Sequence, residues 1–546
     1  MNRRTLLKNL ALAAPAAWLP SVVAGLNWSP LAPAAFQPTW DSLAQYQTPE
    51  WFRDAKFGLW AHWGPQCQPE RGDWYARGMY EEGSDQYKFH CEKYGHPSKF
   101  GFKDVINEWK AEEWNPDELL ALYKKAGAKY FVALANHHDN FDLYNSSHQP
   151  WNSTRLGPKK DLVGGWAKAT KKQGLRFGVS VHASHTWSWL EVAQRADKNG
   201  PLAGVPYDGK VTTADGQGKW WQGYDPQALY AQNHPPSVSK PDSDTMGKQW
   251  DWGNGAVAPS KEYCEKFYNR TVELVDKYEP DLVYFDDTAL PLWPVSEVGL
   301  RLASYMYNRS PQHHGGRNEA VITGKILTPA QRKSLVWDIE RGQSSQIEPL
   351  PWQTCTCLGQ WHYDRRIYDK HGYKSAQTVI HTLVDVVSKN GNLLLSVPVR
   401  GNGSIDDQER AIVEGIAAWM QVNGESIYGT RPWKVFGEGP AQEKVVALSA
   451  QGFNEGKGKA FGAEDIRYVT KGNILFATAL GWPASGRLLL KSLAVGGPHY
   501  PGKVKRIELL GSQKNLNFEH TKDGLAVVLP AQQPNTIAYA LKIIPA

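Results

Sequence analysis

Five apolar runs of this chain end on residues that can hold a charge, move a proton or grip a hydroxyl group. KFGLWAH ends at His62, YFVALANHHD at His137 and His138, LRFGVSVH at His182, DLVYFDD at Asp286 and Asp287, and SLVWDIE at Glu340. Glycoside hydrolysis needs two carboxylates flanking the scissile bond: one attacks or activates water, and the other is an acid kept protonated by its surroundings. Asp286 and Glu340 are the candidates for such a pair. Asp287 adjoins Asp286, and successive strand residues point to opposite faces, so only one of the two can face a shared site. Taken singly, a carboxylate in such a place is as readily a helix cap or half of an ion pair.

Three chemistries compete for the histidines. A metal site of the amidohydrolase type calls for His-x-His after the first strand, and Ala61-His62-Trp63-Gly64 does not supply it. A general base for a serine or cysteine nucleophile would need a GxSxG-like turn, which the chain lacks. Neutral imidazole offers one donor and one acceptor, which suits sugar hydroxyls. A buried histidine satisfied by its own fold is the remaining alternative. The expectation is therefore no metal and no cofactor.

The elements that must place these residues repeat as helix, turn and strand. NPDELLALYKKAGA precedes KYFVALANHH, KATKKQG precedes LRFGVSVH, and RTVELVDKYEP precedes DLVYFDD. AVITGK (320–325), SLVWDIE (334–340) and NLLLSVP (392–398) continue the series. Runs apolar at both parities suggest strands buried on both faces, hence a parallel sheet. The arrangement predicted is an α/β fold, a (β/α)8-like TIM barrel over residues 31–430, whose active site lies at the C-terminal ends of its strands. No GxGxxG follows the first strand, which argues against an open dinucleotide-binding sheet. Residues 190–260 are rich in Gly, Pro, Gln, Asp and Trp and read as a long loop insertion with little regular structure, a kind that is usually functional. From residue 431 to 546 the pattern turns to short alternating strands, among them KVVALSAQ, DIRYVTKGNILFATALGW, VKRIELLG, DGLAVVLP and TIAYALKIIP, and predicts a C-terminal antiparallel β-sandwich.

Composition narrows the partners. A net charge of +6 over 546 residues is dilute, and no dense Lys/Arg run with interleaved aromatics exists, so nucleic acid is excluded as a ligand class. The 24 tryptophans mildly favour carbohydrate, because indole covers the apolar face of a sugar. Five cysteines without a CxxC pair give neither a disulfide framework nor a zinc site. Residues 1–30 open with Arg3 and Arg4 and continue through an Ala/Leu-rich stretch to a small-residue cleavage site at Val22-Val23-Ala24, resembling a twin-arginine export signal. That predicts a periplasmic or secreted protein. No later stretch has the roughly 18 uninterrupted apolar residues of a membrane span.

The stretches WFRDAKFGLWAHWGP, GDWYARGMY, ANHHDNFDLYNS, PDLVYFDD, ERGQSSQIEPLPWQT, LVDVVSKNGNLLLSVP and NGESIYGTRPW together resemble the α-L-fucosidases of glycoside hydrolase family 29. The likeness spans nearly the whole mature chain, including the C-terminal strands. It implies a retaining, exo-acting hydrolase of terminal α-L-fucosyl residues on glycans, with Asp286 as nucleophile. It implies a fucose pocket at His62, Trp74, His137, His138 and Tyr284, with Asp73 beside Trp74 and with Trp361 and His362 on its wall; His182, which ends its own apolar run, is a further candidate to bind the substrate. Two departures stand out. Some members carry Glu where this chain has Asp73, and some carry Glu where it has Gln353, which cannot donate the proton. The acid/base role therefore falls to Glu340, with Glu348 as the alternative. A non-catalytic carbohydrate-binding protein, a metal-dependent hydrolase and a glycosidase for α-L-galactosides are the competing readings.

Overall fold

The computed structural model describes residues 36–237, 252, 256–442, 453–500, 502–512 and 515–546. The export-signal stretch and KVVALSAQ lie outside the described residues, as does part of the 190–260 insertion.

Eight parallel strands close into a barrel in chain order: β1 (Phe57–Ala61), β2 (Tyr130–Asn136), β3 (Arg176–Val181), β4 (Leu282–Phe285), β5 (Val321–Gly324), β6 (Val336–Glu340), β7 (Trp352–Cys357) and β8 (Gly391–Ser396). Closure comes from β1 pairing β8, with Leu59 opposite Leu395. The helices between strands carry their own start signals. Asn115, Ser375 and Asp406 each accept a backbone N–H at the first turn of Pro116–Lys125, Ala376–Ser388 and Asp407–Asn423. The chain thus builds eight strands where only seven apolar runs stand out. The extra one, β7, reads Trp-Gln-Thr-Cys-Thr-Cys and is buried throughout. Its alternating hydroxyl, thiol and amide side chains hide it from a search for apolar runs.

A polar layer crosses the barrel interior. Tyr130 OH donates to Gln353 Oε1 (2.9 Å), and Gln353 Nε2 donates to Asp338 Oδ1 (2.8 Å). Gly58 makes room for this layer, since a Cβ there would lie 2.3 Å from the Tyr130 ring. Gln353 is therefore a structural link inside the barrel.

Among its described residues, the insertion from 190 onward contains only short turns and one-turn helices, yet it is pinned down. Buried Asp208 accepts from Tyr80 OH (2.6 Å), Tyr230 OH (2.6 Å) and Lys103 Nζ (2.8 Å).

After the barrel, β9 (Arg431–Glu438), β10 (Ile466–Lys471), β11 (Ile474–Ala479), β13 (Val504–Leu509) and β16 (Tyr539–Pro545) form one antiparallel sheet in the order β13-β16-β11-β10-β9. β12 (Arg487–Leu490), β15 (Gly524–Val528) and β14 (Phe518–Thr521) form a second. Period-2 alternation gives the first sheet two jobs. Leu475 and Ala477 enter the core between the sheets, and Phe476 packs into the barrel's core. A buried ion network reinforces this seam: Asp385 on a barrel helix binds Arg467 Nε (2.5 Å) and Lys389 Nζ (2.6 Å). All five cysteines are unpaired.

Candidate active site

The C-terminal ends of the strands converge on a cavity of about 310 Å3. Of the residues read from the sequence, His62, Asp73, Trp74, His137, His182, Tyr284, Asp286, Glu340, Trp361 and His362 line it. His138 stands directly behind the wall, buried, with its ring against Asp286.

Asp286 follows β4, and its N–H donates to the Val181 carbonyl (3.2 Å). Its Oδ2 lies 3.0 Å from His182 Nδ1 and 3.2 Å from His138 Nε2, and its Oδ1 accepts from Lys325 Nζ. Burial alone would raise its pKa, but Lys325, His182 and His138 overcome that and hold the carboxyl well below its ordinary value. These partners favour the ionised form of Asp286. Asp287 also borders the cavity, but its carboxylate is taken up elsewhere: His185 Nε2 (3.0 Å), Ser184 Oγ (2.8 Å) and the N–H groups of Thr288 (2.7 Å) and Leu292 (3.3 Å) engage its oxygens.

Lys325 was not among the residues singled out from the sequence. It follows β5, in the run AVITGK, and the rule that found the other residues also applies to it. Its ammonium touches Asp286 Oδ1 and Glu340 Oε2 at once. Burial opposes its charge, but the two carboxylates dominate and raise its pKa well above the ordinary lysine value. Glu340 ends β6 and reaches the cavity. Glu348 does not. It is held by Ser344 Oγ (2.5 Å) and faces Arg332 Nη1 (3.5 Å) in the loop beyond β6, away from the cavity-lining residues.

Hydrogen-bond partners decide what each histidine can offer a ligand. Gln66 Nε2 donates to both Asp139 Oδ2 (3.0 Å) and His137 Nδ1 (2.8 Å). His137 must then carry its proton on Nε2 and present a donor to the cavity. His182 Nδ1–H serves Asp286, so its Nε2, buried without a protein partner, presents an acceptor. Both ring nitrogens of His62 are likewise buried and unpartnered. Burial, aided by neighbouring imidazoles, keeps His62 and His137 neutral far below their usual pKa. Burial also lowers His182, to about 4, against the opposing pull of Asp286. His138 Nδ1 donates to the His182 carbonyl (2.7 Å), so its Nε2 reaches Asp286 as a donor only when the ring carries both protons. Burial disfavours that state and Asp286 favours it.

The remaining wall is aromatic. Trp361 packs 5.2 Å from Trp60 and 5.6 Å from His62, ring centre to ring centre. His362 packs against His62 (4.7 Å) and His137 (4.8 Å), and its N–H donates to Asp73 Oδ1 (2.7 Å). Tyr284 contributes its ring only. Its hydroxyl turns into the barrel toward Asp338 Oδ2 (3.3 Å), a carboxyl that burial raises to about 6. Trp60, Lys325 and Phe453 are lining residues that sequence reasoning missed. Trp60 looks like an ordinary β-strand tryptophan, and Phe453 lies far along the chain.

Among the described residues, two sets of side chains bring potential metal donors within 4.8 Å: His62, His137 and His182, and then His138, His182 and Asp286. The two sets share His182, and the second includes Asp286 and the buried His138 behind the wall. As a donor set, the first fits a divalent cation and also fits a cluster of hydroxyls.

A carboxylate pair at a barrel mouth, walled by indoles and neutral imidazoles, defines a glycoside hydrolase site. The comparisons agree. The sequence profile described as alpha-L-fucosidase matches residues 26–425, and that of the alpha-L-fucosidase C-terminal domain matches residues 460–544. Tissue alpha-L-fucosidase of Rattus norvegicus is 27% identical over 94% of this chain and 93% of its own. The Homo sapiens tissue enzyme is 26% identical over 92% and 90%. Among solved structures, Thermotoga maritima alpha-fucosidase in complex with fucose covers 93% of this chain and 100% of its own at a TM-score of 0.66 and 25% identity. Alpha-L-fucosidase isoenzyme 1 from Paenibacillus thiaminolyticus covers 92% and 100% at 0.60 and 22%. The chain belongs to the α-L-fucosidase family and is a glycoside hydrolase.

Proposed function

We propose that the protein is an exported, exo-acting, retaining α-L-fucosidase that removes terminal fucosyl residues from glycans. The observation that carries this reading is the contact of one ammonium, on Lys325, with Asp286 and Glu340 together. Two oxygens sharing one ammonium lie no more than roughly 5.5 Å apart, about two hydrogen-bond lengths. That suits the 5–5.5 Å carboxyl separation of a double displacement, with no room for a water between acid and base. In the first step Asp286 attacks the anomeric carbon while Glu340 gives its proton to the departing glycosidic oxygen. In the second, Glu340 takes a proton from water as that water displaces Asp286 from the sugar. Arrival of the sugar opens the bridge on the Glu340 side, where Glu340 takes up the proton it delivers, while Lys325 stays on Asp286. His137 donates to a ring hydroxyl, while His62 and His182 offer nitrogens to its neighbours. A cavity of about 310 Å3 suits one terminal sugar, in keeping with exo action.

The test is release of p-nitrophenol from the α-L-fucoside. Asp286→Ala should lose at least 10³-fold in kcat, with azide restoring turnover as the inverted β-fucosyl azide. Glu340→Ala should be rescued by azide with retained configuration. Activity surviving in Asp286→Ala without azide contradicts the assignment. The three-histidine donor set favours a second reading, a metal-dependent hydrolase, and the same assay decides it: dialysis against a chelator leaves the fucosidase unaffected and abolishes a metalloenzyme. An α-L-galactoside, with one more hydroxyl, should be a slower substrate by roughly a hundredfold. Export rests on residues 1–30, and replacing Arg3 and Arg4 by Lys should retain the protein in the cytoplasm.

A further inference from the structure

Two exposed apolar side chains at the cavity have no part in the chemistry above. Ile326, directly after Lys325, is 40% exposed, and Phe453 is 37% exposed. Phe453 does not come from the barrel. It lies in the connection between β9 and β10, and residues 453–455 strap it onto the segment just after β6. Phe453 N–H donates to the carbonyl of Glu340 (3.0 Å), and Glu455 N–H to the carbonyl of Arg341 (3.0 Å). Between them, Asn454 accepts from Gln343 N–H (2.9 Å) and donates to the Gln343 carbonyl (3.1 Å). The Glu455 carboxylate closes the strap on Thr356 Oγ1 (2.7 Å), Lys374 Nζ (3.1 Å) and Arg341 Nε (3.3 Å).

These bonds hold Phe453 at φ 40° and Arg341 at φ 45°, left-handed conformations that large side chains rarely adopt. Such conformations persist only where the surroundings over-determine them, and they concentrate at ligand contacts. The result is an aromatic ring held out at the rim, on backbone bonded directly to Glu340. The Glu455 carboxylate, shared with Lys374, draws the Arg341 guanidinium to itself.

We propose that Phe453 and Ile326 form the leaving-group subsite, which takes the neutral hexopyranose ring to which the fucose is joined. Its apolar C–H face stacks on Phe453, and its glycosidic oxygen faces Glu340. This rests on the fucosidase reading of the cavity. It makes the C-terminal module part of the enzyme's specificity, because the segment that leads into β10 supplies the platform.

The experiment compares kcat/KM on a fucosyl disaccharide with kcat/KM on α-L-fucosyl fluoride, whose leaving group has no ring to stack. Phe453→Ala should lower the disaccharide-to-fluoride ratio about tenfold, the scale of one lost aromatic contact. Phe453→Tyr should restore most of it. Ile326→Ala, on a different loop, should lower the same ratio about threefold. A ratio unchanged in Phe453→Ala overturns the proposal, whether both activities hold or both fall in parallel. A wild type that hydrolyses neither substrate overturns the fucosidase reading itself, and the subsite with it.

Discussion

At the residue scale, Lys325 and Asp286 show how charge is arranged for chemistry. An isolated carboxylate in this buried place would tend to take up a proton, and the Lys325 ammonium prevents that. Lys325→Met should therefore lower kcat/KM by about 10²-fold, the scale of losing one preorganised charge contact. It should also move the acid limb of the pH–rate profile upward, because the Asp286 pKa rises. Lys325→Arg should keep the limb near its original place. Glu348→Gln should retain fucosidase activity within about twofold, since its carboxylate is spent on Ser344 and Arg332. Part of the pocket was legible from one rule: a polar residue at the C-terminal end of an apolar run. The rule found Asp286, Glu340, His62, His137, His138 and His182, and it reaches Lys325 too, whereas Asp73, Trp74, Tyr284, Trp361 and His362 entered through the family resemblance. It failed for Glu348, where only its place in a neighbouring loop suggested a role, and for Phe453, which local pattern cannot connect to a barrel strand.

At the element scale, the barrel was legible because its strands are buried on both faces and separated by well-capped helices. β7 was not, because its inward residues serve a polar layer. That layer sets a tight steric condition at β1. Gly58→Ala should destabilise the protein by about 2 kcal/mol, through overpacking against the Tyr130 ring, as read by chemical denaturation. A neutral result would mean that β2 can shift at little cost. The alternation of β11, with Phe476 toward the barrel and Leu475 and Ala477 toward the second sheet, is ordinary strand patterning. A period of two shows that both faces are used but does not name the partner of each.

At the scale of the whole molecule, the catalytic pocket is also a store of acid sensitivity. His182 titrates near 4, below the usual histidine value of about 6.5, so it binds fewer protons folded than unfolded. The stability tied to its neutral form is complete above about pH 6.5 and is lost as pH falls toward 4, amounting to roughly 3 kcal/mol. Buried, neutral His62 and His137 act in the same direction. The melting temperature should fall steadily between pH 6.5 and 4, and His182→Gln should flatten that slope. The barrel and sandwich should melt together. Removing Arg467, which leaves Asp385 short of a partner, should cost about 3–5 kcal/mol. The central claim, a double displacement through Asp286, is tested most directly by the intact mass of the protein after exposure to a slow 2-fluoro fucosyl fluoride, followed by peptide mapping. The account predicts one added 2-fluorofucosyl unit, on the peptide that contains Asp286. An active enzyme that gains no adduct and releases β-fucose, or that carries the label on another residue, would contradict it.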